Sequence, residues 1–462
     1  MIERDRSVLS AQRPSDTPQR TFPRVLIVYK SRINAEDGFN VSLRGWFREW
    51  PTKRLAQIYS GGVVGEGGFC GDEFALGPQE RFLGRLFTRV KGSAMDQDHF
   101  FRQSSSSTTG LAHVRRWLIE SAVASGIWEL LFLPKLSKEL LEWVRNFRPD
   151  VIYCQGYDLT FARLPVMLQR ASGVPICFQT GDDWPGYLYS GTWASWFVQP
   201  IVHRVAANLV RHSAVRIANG PQMREEYERR YGVRFEQIMI GDEPERFHRA
   251  STLRLAHGND RVLLYSGSLG LGRASSLAQI GRAAARISTA NRKVILAVMS
   301  TFSGAADRHV LEILPNVRLL DNPSHDDLPS YLKGADVLVL PESFNRRWAR
   351  MCRLSISTKA HLYMMARRPI LMFGPGTSSV ARYASQAGWA HVVDNQNDDI
   401  LDGAIERLLS DTEYGRRLVE RADNVVLDNH LLSKCSEHFR GCVADAVRAS
   451  VPQGVSDHQE PH

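Results

Sequence analysis

Short apolar runs alternate with helical patterns along this chain, and this alternation occurs in two successive series. In the first series, four runs have the length and composition of buried strands, at residues 24–29, 55–59, 150–154 and 175–180. Helical periodicity follows or precedes them at residues 41–50, 137–147 and 161–171. Alternating strands and helices predict a parallel sheet that is covered by helices on both faces.

The second series begins at Arg261 and repeats the same order. Its predicted strands are 261–266, 294–298, 317–320, 337–340 and 369–373, and its predicted helices are 276–287, 328–333 and 358–365. A chain of 462 residues is longer than one hydrophobic core usually accommodates. The polar, turn-rich segment at 247–258 therefore predicts a boundary between two α/β domains.

These features predict a division of the chain into five parts. The charged residues 1–21 and the polar tail 450–462 have the composition of disordered termini. Between them we expect a first domain at 22–247, a second domain at 258–424 and a terminal helical segment at 425–449. Residues 60–115 interrupt the alternation of the first domain and predict an insertion.

A helical pattern within this insertion has an apolar and a basic face. Over Arg81–Lys91 the apolar side chains lie on one side and the arginines on the other. A helix of this kind can lie on an anionic membrane, because apolar insertion and electrostatic attraction add together. It can also pack against its own domain, which is the interpretation that we favour.

The charge and cysteine content restrict the class of partner. The chain carries 58 Lys and Arg against 49 Asp and Glu, a formal charge of +9, which favours phosphorylated ligands, an anionic membrane or nucleic acid. No basic stripe is interleaved with aromatic residues, so we do not expect nucleic-acid binding. The six cysteines and the scattered histidines have no metal-ligand spacing, and we expect a reduced cytoplasmic protein without a metal site. No apolar run approaches the roughly 20 residues that span a bilayer, so membrane contact would be peripheral.

Three loops of the second domain follow predicted strands and are rich in hydrogen-bond donors. They contain, respectively, Gly270, Gly272 and Arg273; Ser357, Thr358 and Lys359; and Gly374 and Ser378. Glycines let backbone approach a phosphate, guanidinium and ammonium groups bind it, and helix N-termini attract anions. Each loop alone is also compatible with an ordinary turn or helix cap. Three such loops at one edge of a domain favour a phosphate site.

Other polar residues follow strands of the first domain. Asp182 and Asp183 come after the run 175–180, where carboxylates could act as a base or orient a hydroxyl, and where mutual repulsion could raise one pKa. Gly38 lies in the loop after the first strand, where backbone could approach a ligand. Both motifs are also common turns. No G-x-G-x-x-G motif follows either first strand, which argues against a nicotinamide cofactor.

The two-domain layout and three segments, LLYSGSLGLGR, STKAHLYMMARRPILMFGP and DDWP, resemble GT-B glycosyltransferases, specifically the retaining family 4 type of bacterial polysaccharide biosynthesis. The resemblance implies two Rossmann-like domains whose parallel sheets face a central cleft, with the helix at 425–449 crossing back to the first domain. It implies transfer from a nucleotide sugar to a glycan or lipid-linked acceptor, without metal or cofactor, at the inner face of the membrane.

The same resemblance assigns roles to individual residues. Arg273 and Lys359 match the residues that hold the donor diphosphate, and Gly38 matches the loop between donor and acceptor. Asp182 and Asp183 match a turn beside the reacting sugar.

Three positions depart from the family pattern. Leu362 stands where a glutamate usually binds the nucleotide ribose. Leu354 takes the place of an earlier glutamate, and Ala278 takes the place of a second basic residue. Two alternatives therefore stay open: a noncatalytic or donor-altered binding protein, and a sugar-nucleotide epimerase of the same fold.

Overall fold

A computed structural model describes residues 22–33, 38–61, 68–82, 110–300 and 305–449. The predictions for the two termini lie outside these ranges, as does the predicted amphipathic helix at 81–91 beyond its first two residues. Across the described part of the chain, no helix is both long and apolar enough to cross a bilayer.

The first domain contains a seven-stranded sheet in which every strand pair is parallel. In chain order its strands are β1 Val25–Val28, β2 Leu55–Ser60, β3 Asp72–Leu76, β4 Val151–Cys154, β5 Ile176–Thr180, β6 Ser213–Ala218 and β7 Glu236–Gln237. Their order across the sheet is β3-β2-β1-β4-β5-β6-β7. The central strands β1 and β4 are entirely buried, as expected for apolar runs with helices on both faces.

Nine helices belong to this half of the chain within the described ranges. They are α1 Gly38–Trp46, α2 Gly110–Ser125, α3 Ile127–Leu131, α4 Lys138–Phe147, α5 Leu159–Ser172, α6 Trp184–Tyr187, α7 Ser195–His212, α8 Pro221–Tyr231 and α9 Pro244–Arg249. Local sequence sets their ends. The Ser137 hydroxyl accepts a hydrogen bond from the Leu140 amide at 3.0 Å and so begins α4. Gly173 adopts a left-handed conformation that ends α5.

The second domain has a six-stranded parallel sheet. Its strands are β8 Arg261–Ser266, β9 Val294–Met299, β10 Val317–Leu320, β11 Val337–Pro341, β12 Ile370–Phe373 and β13 His391–Val393. Their order, β10-β9-β8-β11-β12-β13, is that of a doubly wound nucleotide-binding sheet. In such sheets ligands bind where the strand order reverses, here between β8 and β11.

The helices of this half complete the fold. They are α10 Arg273–Arg286, α11 Ala305–Glu312, α12 Leu328–Gly334, α13 Arg346–Met351, α14 Ala360–Met365, α15 Ser379–Ala387, α16 Asp398–Ser410, α17 Thr412–Asn429 and α18 Leu432–Arg448. The last helix packs against the first sheet. Phe439 of α18 is fully buried, with ring centroids 4.9 Å from Phe47 and 5.5 Å from Tyr153.

Three strands of the first domain, β3, β6 and β7, were not predicted from the sequence. Residues 60–115 were expected to interrupt the sheet, but residues 72–76 form the edge strand β3, paired in parallel with β2. Only Leu76 of β3 is buried, so the strand lacks the apolar run that made its neighbours predictable.

Candidate functional site

A buried ion pair lies where the strand order of the second sheet reverses. Arg273 begins α10 after the loop that follows β8, and Glu342 follows β11 directly. Arg273 Nη2 lies 3.3 Å from Oε1 of Glu342, and both residues are buried. Sequence reasoning predicted Arg273 but missed Glu342. The position of Glu342 at a strand end in the cleft was the signal that could have identified it.

The glycines of the loop before α10 serve its backbone geometry. Gly272 has φ 72°, and a side chain there would come within 2.5 Å of Trp348. Gly270 donates its amide hydrogen to the Ser268 hydroxyl at 3.1 Å. Both glycines therefore shape the turn that places Arg273 against Glu342.

Lys359 lies beside this pair, but not as the sequence predicted. The prediction began the helix at Thr358, whereas α14 begins at Ala360 and Lys359 itself occupies the N-cap position. Neither Ser357 nor Thr358 is the cap. The Lys359 side chain packs over Gly267, where a Cβ would meet its Cδ at 2.7 Å. Its ammonium lies 5.7 Å from the centroid of the Tyr265 ring.

Burial and neighbouring charges set the protonation of this cluster. Burial and, to a smaller extent, the charge of Arg273 lower the pKa of Lys359 to about 7, although Glu342 opposes both. Burial disfavours the charge of Arg273 too, but Glu342 and Tyr265 outweigh that effect and raise its pKa. Among the described residues Lys359 forms no ion pair. The buried Arg273 and the half-buried Lys359 thus share the field of one carboxylate, and an added anion would stabilise the charges of both.

The third predicted loop, which contains Gly374 and Ser378, packs against Glu342. Gly374 lies against Glu342, since a Cβ on Gly374 would approach Glu342 Cβ to 2.7 Å. Ser378 is buried and caps α15, with its hydroxyl 3.4 Å from the Ala381 amide. Neither residue is among those that line the cavity beside Lys359. The structure therefore does not bring this loop to that cavity as a further phosphate loop.

A cavity of about 500 Å³ between the domains contains Lys359. Ser266, Gly267, Thr358 and Leu362 line it from the second domain. The first domain contributes residues in and just after α1, which Gly38 begins: Ser42, Gly45 and Arg48. Gly38 thus starts the helix that borders the cavity.

The two aspartates after β5 have different surroundings. The Ser355 hydroxyl donates a hydrogen bond to Asp182 Oδ1 across the domain boundary. Asp183 instead accepts hydrogen bonds from Arg230 Nη1 at 2.6 Å and Nη2 at 3.0 Å, and from the Tyr227 hydroxyl at 3.2 Å. Asp183 is therefore held in a buried ion pair, unlike Asp182, and its assignment as a catalytic residue stays a prediction.

Burial, rather than repulsion between the two aspartates, raises the pKa of Asp182. The Ser355 hydrogen bond and Arg273 oppose this rise, and the charge of Asp183 is the smallest of the contributing causes. Asp182 lines a second interdomain cavity together with Tyr157 and Thr358. Tyr157, which the sequence analysis missed, has φ 74°, a conformation that is rare for a tyrosine. Within the described ranges, no three His, Cys, Asp or Glu side chains are grouped to hold a metal ion.

Comparisons with known proteins identify the fold and the class of the chain. Sucrose-phosphate synthase from Thermosynechococcus elongatus superimposes with a TM-score of 0.62 at 12% identity, over 93% of this chain and 100% of that one. Trehalose-6-phosphate synthase from Burkholderia multivorans gives 0.60 at 13% identity, over 95% and 100%. Residues 81–240 match the family model of the Glycosyl transferase 4-like domain. The chain has the GT-B fold, and its first half carries a glycosyl transferase 4-like domain.

A further structure with the same fold holds ligands. HepE of Anabaena in complex with UDP and glucose superimposes with a TM-score of 0.55 at 13% identity, over 91% of this chain and 99% of that one. No curated protein sequence matches the chain. The residues matched by the family model include Asp182 and Asp183, whereas Arg273, Glu342 and Lys359 lie outside them.

Proposed function

We propose that this protein is a glycosyltransferase that moves a sugar from a nucleotide-sugar donor to a glycan or lipid-linked acceptor. The observation that carries the proposal is the pair of basic residues, the buried Arg273 and the half-buried Lys359, which share one carboxylate, Glu342, at the switch point of a doubly wound sheet. A diphosphate is the anion that suits two adjacent cations. Two proteins of the same fold were solved with UDP-2-fluoro glucose and with UDP and glucose.

In the proposed reaction, the bond between the sugar C1 and the donor phosphate oxygen breaks, and the acceptor hydroxyl oxygen bonds to C1. The hydroxyl proton passes to the departing diphosphate. Negative charge grows on the diphosphate as the bond breaks, so Arg273 and Lys359 stabilise the transition state more than the bound donor. We propose that configuration at C1 is retained and that these two side chains supply the required positive charge without a metal or cofactor.

Asp182 is the proposed sugar-orienting residue. Its carboxylate lies at the end of β5, is fixed by the Ser355 hydroxyl of the second domain, and borders a cavity with Thr358. A carboxylate that is held in this way can accept a hydrogen bond from a sugar hydroxyl. Because Ser355 belongs to the other domain, this orientation depends on the closed arrangement of the two domains.

An exposed aromatic surface on the first domain supports a lipid-linked acceptor. Trp117, Leu118, Trp193 and Trp196 are 64%, 55%, 65% and 78% exposed, respectively. The Trp193 indole donates to the Ser121 hydroxyl at 3.1 Å, which joins the segment before α7 to α2. Tryptophans are enriched at membrane interfaces. We propose that this surface contacts the inner face of the membrane and that the product belongs to cell-surface polysaccharide biosynthesis.

Leu362 supports a second candidate, a protein that binds an altered donor or has lost activity. Its side chain lines the cavity beside Lys359, where a ribose-binding carboxylate would be expected. Leu362→Glu discriminates between the two proposals. If the donor is an ordinary nucleotide sugar, we expect the restored carboxylate to tighten nucleotide binding by about tenfold, because a hydrogen bond to a charged group contributes about 1.5 kcal/mol or more.

The proposal is tested by thermal denaturation with a panel of nucleotide sugars, followed by turnover assays with the donor that stabilises most. Arg273→Ala and Lys359→Ala should each abolish both the stabilisation and the turnover. A matched control is Arg308→Ala, an exposed position in α11. Unchanged turnover in both site variants would show that the donor site is wrongly assigned. Binding without turnover by the unmodified protein would favour the noncatalytic alternative.

A further inference from the structure

A further cavity, also of about 500 Å³, lies between the domains. None of the residues that line it also lines the Lys359 cavity. The first domain contributes Asp183, His203 and Arg230, and the second domain contributes Arg350 and Arg353. We refer to it as the seam cavity. Three guanidinium groups therefore line this cavity with one carboxylate.

The acidic groups near the seam cavity are already engaged. Both oxygens of Asp183 accept hydrogen bonds from Arg230, at 2.6 and 3.0 Å. Glu226 binds Arg230 at 3.1 Å and lies 3.5 Å from Arg353. Arg350, by contrast, forms no ion pair within the described chain. Positive charge therefore exceeds negative charge around the cavity.

The positive groups face one another across the domain boundary. His203 lines the cavity together with Arg230 of the first domain and Arg350 of the second. Burial lowers the pKa of His203, and the charges of these two arginines lower it further. Glu226 already lies between Arg230 and Arg353 and links the two domains, whereas Arg350 has no counter-ion among the described residues, and an anion in the cavity would supply one. Guanidinium groups bind phosphate in a bidentate manner.

We infer that the seam cavity is an anion site, distinct from the donor site, that binds a phosphate group between Arg350 and Arg353 of the second domain and Arg230 of the first. The bound phosphate contacts both domains and holds them together. It lies beside Asp183, next to the Asp182–Ser355 hydrogen bond that also joins the domains. Binding of a phosphate in the seam cavity does not require sugar transfer, whereas its assignment to an acceptor rests on the proposed function. The phosphate belongs either to the acceptor or to a free phosphorylated compound.

The test is calorimetric titration of the full-length protein with inorganic pyrophosphate. We expect two classes of site in the unmodified protein, of which Lys359→Ala removes one and the double variant Arg350→Ala/Arg353→Ala removes the other. Loss of two charge-assisted contacts should weaken the seam site by at least about tenfold. Arg346→Ala is the matched control, since Arg346 is an exposed arginine of the same helix α13 that does not line the cavity.

Two further arms distinguish the sources of the phosphate. If the acceptor supplies it, the double variant raises the KM for the acceptor and leaves donor binding unchanged. If a free compound supplies it, pyrophosphate reduces the radius of gyration of the Lys359→Ala protein, and this compaction is absent from Lys359→Ala/Arg350→Ala/Arg353→Ala. An isotherm of the Arg350→Ala/Arg353→Ala protein that matches the unmodified one would overturn the inference. Because donor binding is measured through Lys359, that outcome leaves the proposed function standing.

Discussion

Arg273 and Glu342 form a buried ion pair in which Nη2 of the guanidinium lies 3.3 Å from Oε1 and 3.4 Å from Oε2 of the carboxylate. They are 69 residues apart in sequence and meet because β8 and β11 are adjacent strands. The same carboxylate partly offsets the buried charge of Lys359. Glu342 therefore favours the charged forms of both Arg273 and Lys359 in a cavity that would otherwise disfavour them.

Glu342→Gln should lower the free energy of unfolding by about 3 kcal/mol, because it leaves the Arg273 charge buried without a partner. A nucleoside diphosphate should restore much of this loss, so its stabilising effect should be larger in the variant than in the unmodified protein. Urea denaturation with and without UDP measures both effects. Glu406→Gln, which disrupts the more exposed pair with Arg292, is the control and should change stability by less than about 1 kcal/mol.

Donor affinity should decrease as the pH rises above about 7, the value to which burial lowers the pKa of Lys359. An anionic donor binds the protonated lysine and raises its pKa, so deprotonation above pH 7 weakens binding. Lys359→Arg keeps its charge and should abolish this pH dependence. Fluorescence titration with the donor between pH 6 and about 9 measures the effect, and an unchanged profile in Lys359→Arg would contradict the assignment.

In the absence of donor, Lys359 should reduce stability at neutral pH. Folding lowers its pKa from 10.5 to about 7, so within that window the unfolded chain binds a proton that the folded protein releases. The contribution of this group to the free energy of unfolding therefore rises with pH across the window. Lys359→Met should raise stability at pH 7 by about 1–3 kcal/mol while abolishing donor binding. A less stable Lys359→Met protein would show that Lys359 has a partner in solution.

Substitution of Asp182 should lower turnover, whereas substitution of Asp183 should lower stability. Asp182→Asn should retain stability but lower kcat roughly 100-fold, because it weakens the contact that orients the sugar. Asp183→Asn should lower the free energy of unfolding by about 2–4 kcal/mol, because Arg230 loses its charged partner, while the folded fraction keeps its turnover. Each variant is the control for the other. Loss of turnover in Asp183→Asn without loss of stability would indicate that Asp183 acts in the catalytic site.

The exposed tryptophans should govern binding to lipid. Trp193→Ser/Trp196→Ser should reduce cosedimentation with phosphatidylglycerol-containing vesicles at least about fivefold, because the two indoles no longer enter the interface. Ile313→Ser is the control, since Ile313 is 64% exposed in the second domain. Equal loss in the control variant, or none in the double variant, would contradict membrane contact through this surface.

The strands that the sequence predicted are those whose buried apolar runs are continuous, such as 25–28 and 294–299. Strand β3, with the sequence DEFAL, was missed because it is an edge strand that begins with two acidic residues and buries only Leu76. Arg273 and Lys359 were predictable because each follows a strand within a recognisable segment. Their counter-ion Glu342, and the Asp183–Arg230 pair, depend on contacts between distant segments, which local periodicity does not report.

Helix α18 has a consequence for biosynthesis. Phe439 is buried among Phe47, Trp50 and Tyr153, so the core of the first domain is completed by a helix that is translated after the whole second domain. The first domain must therefore wait, with this part of its core exposed, until the second has been translated. Cutting the gene at 247–258 would not yield two self-sufficient halves, and loss of α18 would damage the first domain although the helix follows the second in sequence.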